Sequence, residues 1–227
     1  MSFGTMPTSW VAEGALREFS PKAGVLGRHL AALKCYLTIA AHHRANESGV
    51  VLAYPDIGEI AKLSKPSIIE GLEILRSMEL IRIESKASRN TNRYVFPELA
   101  KNFRKIPQDR VFCFLREFSN RHPRYLDALK AYFTYLHLRD HKTGVAVISH
   151  KRLVEYTGIR PESVAAANSV LAACHFVQIR TTENWGAVGH PNNEYTLLGD
   201  FAGGLPTRLT RVATQKAERK VDDEIPF

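Results

Sequence analysis

An internal repeat constrains this chain more than any other feature. The string Leu16-Arg17-Glu18-Phe19-Ser20 recurs unchanged as Leu115-Arg116-Glu117-Phe118-Ser119. Ala32-Leu33-Lys34-Cys35-Tyr36-Leu37-Thr38 returns as Ala128-Leu129-Lys130-Ala131-Tyr132-Phe133-Thr134, an offset of 96 residues. That offset is kept by Ile57 and Leu153, Ser67 and Ser163, Ile68 and Val164, Ile74 and Val170, and Leu75 and Leu171. It holds again where Leu80, Ile81 and Ile83 meet Phe176, Val177 and Ile179. One residue shifts between Gly49 and Gly144, and an insertion precedes the match of Tyr94 with Tyr195. Agreement in both order and character over this length points to two copies of one unit. A chain of 227 residues lets each copy bury its own core.

Periodicity gives each copy the same expected course. Leu30, Leu33, Leu37 and Ala41 form a helical stripe, as do Leu126, Leu129, Phe133 and Leu136. A glycine turn leads to a short apolar strand, Val50 to Ala53 or Val145 to Ile148. A short helix follows, with Ile57, Ile60 and Ala61 in one copy and Leu153, Val154 and Tyr156 in the other. After a tight turn comes a third helix carrying Ile68, Leu72 and Leu75, or Val164, Ala167 and Leu171. The proline near its start suits a first turn, where no backbone N–H is missed. Two strands close the unit, Leu80 to Glu84 with Arg93 to Phe96, and Phe176 to Arg180 with Glu194 to Leu198.

Helix, strand, helix, turn, helix and hairpin is the order in which this sequence resembles winged helix-turn-helix DNA-binding proteins. The local matches are Ile57-x-x-Ile-Ala-Lys-Leu-Ser-Lys-Pro-Ser-Ile and Leu153-x-x-Tyr-Thr-Gly-Ile-Arg-Pro-Glu-Ser-Val. The resemblance implies an α+β fold, mainly α with small β-hairpin wings, built as two tandem winged-helix domains from an internal repeat. The expected divisions are 1–100 and 101–198, the second opening on a basic connector helix. A flexible basic linker, 199–220, and an acidic partner-binding tip, 221–227, would follow. Tandem winged helices in one bacterial chain resemble plasmid replication initiators.

In such a unit the third helix enters the major groove by its N-terminal residues, and the hairpin tip touches a groove or phosphates. The resemblance therefore selects Ser64, Lys65, Ser67, Glu70 and Arg76, with wing cations Lys86, Arg89 and Arg93. In the second copy Arg160, Ser163 and Asn168 would face DNA, with Lys151 and Arg152 on phosphates. Its wing, 181–193, has Glu183 and no cation, but it has Trp185, which would stack on a base or fold back on its own core. Small residues along Glu162 to Ser169 leave open a role in dimerisation. Between the copies lie Lys101, Arg104, Lys105, Arg110, Arg116, Arg121 and Arg124 against Asp109 and Glu117, either a backbone-following run or a solvated face.

The net charge of +8 agrees with a polyanion partner. The end of the sequence, Val221-Asp-Asp-Glu-Ile-Pro-Phe227, resembles the acidic tip of bacterial single-stranded-DNA-binding proteins. That resemblance implies docking of Asp222, Asp223, Glu224, Ile225, Pro226 and Phe227 onto host replication and repair proteins. Burying the Phe227 ring would supply roughly 1.5–3 kcal/mol, and the acids would steer it toward a basic rim. An alternative use is competition with DNA for the protein's own surface.

Other chemistry is not indicated. Cys35, Cys113 and Cys174 are odd in number and widely spaced, which argues against disulfides and a zinc cluster. No phosphate loop, nucleophile elbow or zinc-hydrolase helix is found, so an enzyme, a cofactor or a bound metal is not expected. His137 and His141 are four apart without a third ligand; His42-His43 closes the first long helix, where a cation suits the dipole. No run approaches the ~18 apolar residues of a membrane span, and Met1 to Ser9 lacks a secretory pattern. The expectation is a cytoplasmic bacterial DNA-binding protein of a plasmid, phage or mobile element, acting in replication and possessing the capacity for homo-oligomerisation. The alternatives are a single-stranded-DNA-binding protein built on winged helices, and a transcriptional regulator.

Overall fold

A computed structural model of the chain describes residues 3–88, 91–97, 103–185 and 191–198. Strand β1 (Phe3–Pro7), helix α1 (Ser9–Ala12) and a 3-10 turn at Ala15–Glu18 lead in. Helix α2 (Leu26–His42) is buried without interruption from Leu30 to Ala41. A helix hydrophobic on all sides is one that others surround, and here it is packed by β1 and by the helices that follow. Next come β2 (Val50–Ala53), α3 (Tyr54–Ala61), α4 (Lys65–Ser77), β3 (Arg82–Ser88) and β4 (Thr91–Val95). β4 is the centre of an antiparallel sheet ordered β2-β4-β3.

A second lead-in, β5 (Phe103–Pro107) and α5 (Gln108–Glu117), precedes α6 (Pro123–Leu138), which is buried from Leu126 to Leu136. Then follow β6 (Val145–Ile148), α7 (His150–Thr157), a 3-10 turn at Pro161–Ser163, α8 (Val164–Ala173), β7 (Val177–Trp185) and β8 (Pro191–Leu197). The second sheet is ordered β6-β8-β7. The described protein is thus α+β with small sheets, and one order of elements occurs in both halves. Among the described residues no helix is long and apolar enough to cross a membrane.

The region between the halves holds a strand ahead of a helix, α5. Residues 103–107 form a strand, β5, which pairs antiparallel with β1 from Phe3↔Pro107 to Pro7↔Phe103. A sheet therefore crosses the expected division at residue 100. α5 packs on α2 and α3, while the Ala15–Glu18 turn packs on α7 and α1 on α6.

Two lysines within the core close helix ends. Lys34 Nζ donates to Ala61 O at 2.7 Å, Phe118 O at 3.0 Å and Asn120 Oδ1 at 2.8 Å. Lys130 Nζ donates to Thr157 O at 3.0 Å. Ala61 and Thr157 are the last residues of α3 and α7, whose carbonyls have no intrahelical partner. Burial lowers both amines to about 8.

The histidine pair at the end of α2 differs from expectation. His43 is buried, its ring between Thr5 Oγ1 and Glu47 O, and burial holds its pKa below the ordinary value. It is a neutral hydrogen-bonding cap rather than a cation on the helix dipole. His141 lies beyond the end of α6, and Arg104 lies between it and the His137 carbonyl, with Nη1 2.5 Å from His141 Nε2 and Nη2 2.8 Å from His137 O.

Candidate nucleic-acid interface

The first turn of α4 is exposed from Ser64 to Pro66. Ser64 is the N-cap: its Oγ accepts from Ser67 N–H at 3.4 Å and lies 2.9 Å from Ser67 Oγ. Both serines thus organise the helix start, and Lys65 projects from the turn they build. Glu70 is exposed, one turn farther along the helix. Ile69 is 37% exposed, an apolar side chain outside the buried stripe of Ile68, Leu72 and Leu75. Sequence reasoning passed over it, although its place off that stripe was a legible signal. An exposed isoleucine beside Lys65 suits contact with a thymine methyl group.

Arg76 is not brought to this end. It lies in the last turn of α4, eleven residues from Lys65 or roughly 16 Å along the axis at 1.5 Å per residue. There it lines a cavity of about 370 Å³ with Trp10, Tyr36, Phe96, Glu79 and Arg82.

The wing candidates divide. Arg93 is on β4, where its Nε lies 3.4 Å from Glu84 Oε2 and its Nη2 donates to Ser48 Oγ. Glu84 is the cross-strand neighbour of Arg93. Arg93 is therefore engaged with its own sheet. Lys86 is on β3; its side chain, and Arg89 altogether, fall outside the described residues.

In the second half, Lys151 and Arg152 are exposed in the first turn of α7, which Ser149 caps by accepting from Arg152 N–H at 3.3 Å. The Arg152 guanidinium is 5.8 Å from the Tyr156 ring centroid. A cation in a first turn opposes the helix dipole. Arg160 is exposed just before the Pro161–Ser163 turn, and its charge reaches the buried carboxyl of Asp127. Burial is the larger influence on Asp127 and raises its pKa; Lys130 and Arg160 oppose it. Ser163 is half-buried.

Asn168 is a correction. It is 6% exposed, accepts from Tyr135 O–H at 2.7 Å and directs its amide at Tyr195 Oη, 3.5 Å away. Tyr135 and Tyr195 stack with centroids 4.0 Å apart, so the amide satisfies two buried hydroxyls and cannot reach DNA. The exposed surface of α8 consists instead of Ala165, Ala166, Ser169, Ala172 and Ala173. Trp185 ends β7 opposite Pro191, with its side chain outside the described residues.

The basic run between the halves is not one surface. Arg104 is turned onto the end of α6, and Arg116 pairs with Glu59 at 3.6 Å. Arg110, Arg121 and Arg124 are exposed, Arg124 lying 5.2 Å from the Tyr125 ring centroid. Lys101, the linker 199–220 and the tip 221–227 lie outside the described residues. Comparison with protein-family models, curated proteins and solved structures finds no match to this chain.

Proposed function

We propose that the chain binds DNA through two winged helix-turn-helix units and serves replication of a plasmid, phage or mobile element. The segment Asp222–Phe227 would recruit host replication and repair proteins that accept the single-stranded-DNA-binding protein tail. The reading rests on an order that occurs twice, an exposed helix start followed along the chain by a β-hairpin. Ser64-Lys65-Pro66 opens α4, and Arg160-Pro161-Glu162 leads into α8. Lys151 and Arg152, placed against the dipole of α7, supply phosphate contacts. The net charge of +8 supports the same partner.

The test is fluorescence anisotropy with equal-length single-stranded and duplex DNA across a salt series. Duplex binding should weaken steeply with salt, and Lys65→Ala should reduce the logarithmic salt slope by about one. Arg93→Ala should change affinity far less, because that side chain already serves Glu84 and Ser48. Deleting Phe227 should leave DNA affinity nearly unchanged, consistent with a recruiting segment. Tighter binding to the single strand would replace this reading with strand coating. Binding to neither would refute it.

A further inference from the structure

The turn between α3 and α4 is held by a loop of the other half. Asn120, between α5 and α6, donates from Nδ2 to Lys62 O at 2.7 Å and accepts on Oδ1 from Lys34 Nζ at 2.8 Å. Both ends of its amide are engaged, and only this orientation gives the carbonyl a donor and the ammonium an acceptor. Lys34 Nζ also donates to Ala61 O and Phe118 O, so one ammonium ties the end of α3 to the start of that loop. Arg121 is the next residue, about 3.8 Å from Asn120 between Cα atoms, and it is exposed. Its own N–H donates to Ser119 Oγ at 3.3 Å.

The lysine that Asn120 holds has a costly backbone. Lys62 caps α3 at φ +52°, in the left-handed region where a β-carbon is strained. The second half has Gly158 at the matching position, at φ +64°, and glycine adopts that conformation freely. Strained positions persist where surrounding contacts fix them, and they gather at binding sites. Here Asn120 supplies the fixing contact, and the result is an exposed cation three residues before Lys65. No acid lies between Lys62 and Ile69, or between Phe118 and Leu126. Glu59, one turn back on α3, is paired with Arg116. Lys62, Lys65 and Arg121 thus form a cationic group, built from both halves, beside the exposed start of α4.

We infer, on the DNA-binding reading above, that Lys62 and Arg121 each hold a backbone phosphate of the duplex that α4 reads. The first half's site is then incomplete without a loop of the second. Asn120 is a positioning residue, which sets Arg121 against the turn without touching the ligand. Phosphates recur along a strand at roughly one per 3.4 Å of helix axis, so cations grouped on one surface meet neighbouring ones. Such contacts fix register and orientation and carry no sequence preference.

The experiment is fluorescence anisotropy of the full chain on two duplexes of unrelated sequence across a salt series, with thermal denaturation of each variant. Lys62→Gly keeps the backbone conformation and removes the charge. It should leave Tm equal or raised, and reduce the logarithmic salt slope by about one on both duplexes. Arg121→Ala should reduce the slope by the same amount. Asn120→Ala should do so with Arg121 still present, and combining it with Arg121→Ala should lower the slope no further. Arg116→Ala removes a cation already paired with Glu59 and should alter the slope far less. An unchanged slope in Lys62→Gly or Arg121→Ala, with Lys65→Ala still lowering it, overturns the inference and leaves the DNA-binding reading standing. A slope lowered on one duplex only would mark base contacts, and overturns it as well. Absence of salt-dependent binding by the unaltered chain refutes the reading itself, and the inference with it.

Discussion

Lys34 and Lys130 are charged groups at positions where the pattern of each helix calls for apolar ones, and their cost sets a pH dependence. Both are essentially inaccessible, at 0% and 1% exposure. Burial brings each amine from 10.5 to about 8, whereas in the unfolded chain it keeps its proton to the ordinary value. Between those limits the unfolded state binds more protons, so stability rises with pH from about 8 toward 10.5 and the penalty is in full force below 8. Tyr94, raised to about 12 by burial, gives the opposite slope once unfolded tyrosines begin to ionise near pH 10. The urea midpoint should therefore rise between pH 7.5 and 9, and the rise should shrink in Lys34→Met. At pH 7 the same substitution should destabilise more than Lys130→Met. It strands two backbone carbonyls, Ala61 O and Phe118 O, against one, at roughly 1–3 kcal/mol each. A midpoint that falls over this range would show the amines to be hydrated.

Among the elements, α4 meets the backbone of α2 at Gly71. A Cβ there would lie 2.8 Å from Ala32 N and 2.9 Å from the Ala31 carbonyl carbon, both backbone atoms that cannot rotate away. The second half carries Ala167 at the same position, fully buried, so α8 makes room for the methyl that α4 lacks. Gly71→Ala gains about 1 kcal/mol of helix propensity and loses about 1–3 to overpacking. Thermal denaturation should show net destabilisation; a raised Tm would mean that α4 can shift off α2. The long helices, α4, α8 and the hairpins were legible because each repeats an apolar period inside a segment long enough to show it. β1 and β5 were not, since five residues with glycine or a cation at the second place carry no alternation and the partner lies about a hundred residues away. Even so, Phe3-Gly-Thr-Met-Pro7 and Phe103-Arg-Lys-Ile-Pro107 share their first and last residues, which extends the repeat beyond where it was noticed. At the candidate interface, exposure of Lys65 and Arg160 followed from their place at a helix start. The burial of Asn168 did not, because its partners Tyr135 and Tyr195 meet it only through the fold.

The molecule as a whole is not two beads on a linker. Separating residues 1–100 would remove the strand that pairs β1, the helix that covers α3, and two of the acceptors that hold Lys34. The isolated piece should lack a cooperative thermal transition by circular dichroism, whereas the full chain should unfold in a single one. A sharp transition in the piece alone would show each half to be self-sufficient. The β1–β5 ladder also bears on synthesis, which proceeds from Phe3 toward Phe103. The opening strand leaves the ribosome with its edge bare and stays so until some hundred further residues have been added, at roughly 5–20 residues per second. For those several seconds the nascent protein exposes an unpaired edge, a template on which another chain can pair. The interval is set by translation speed, so slowing elongation before codon 103 would lengthen the hazard, and faster passage would shorten it.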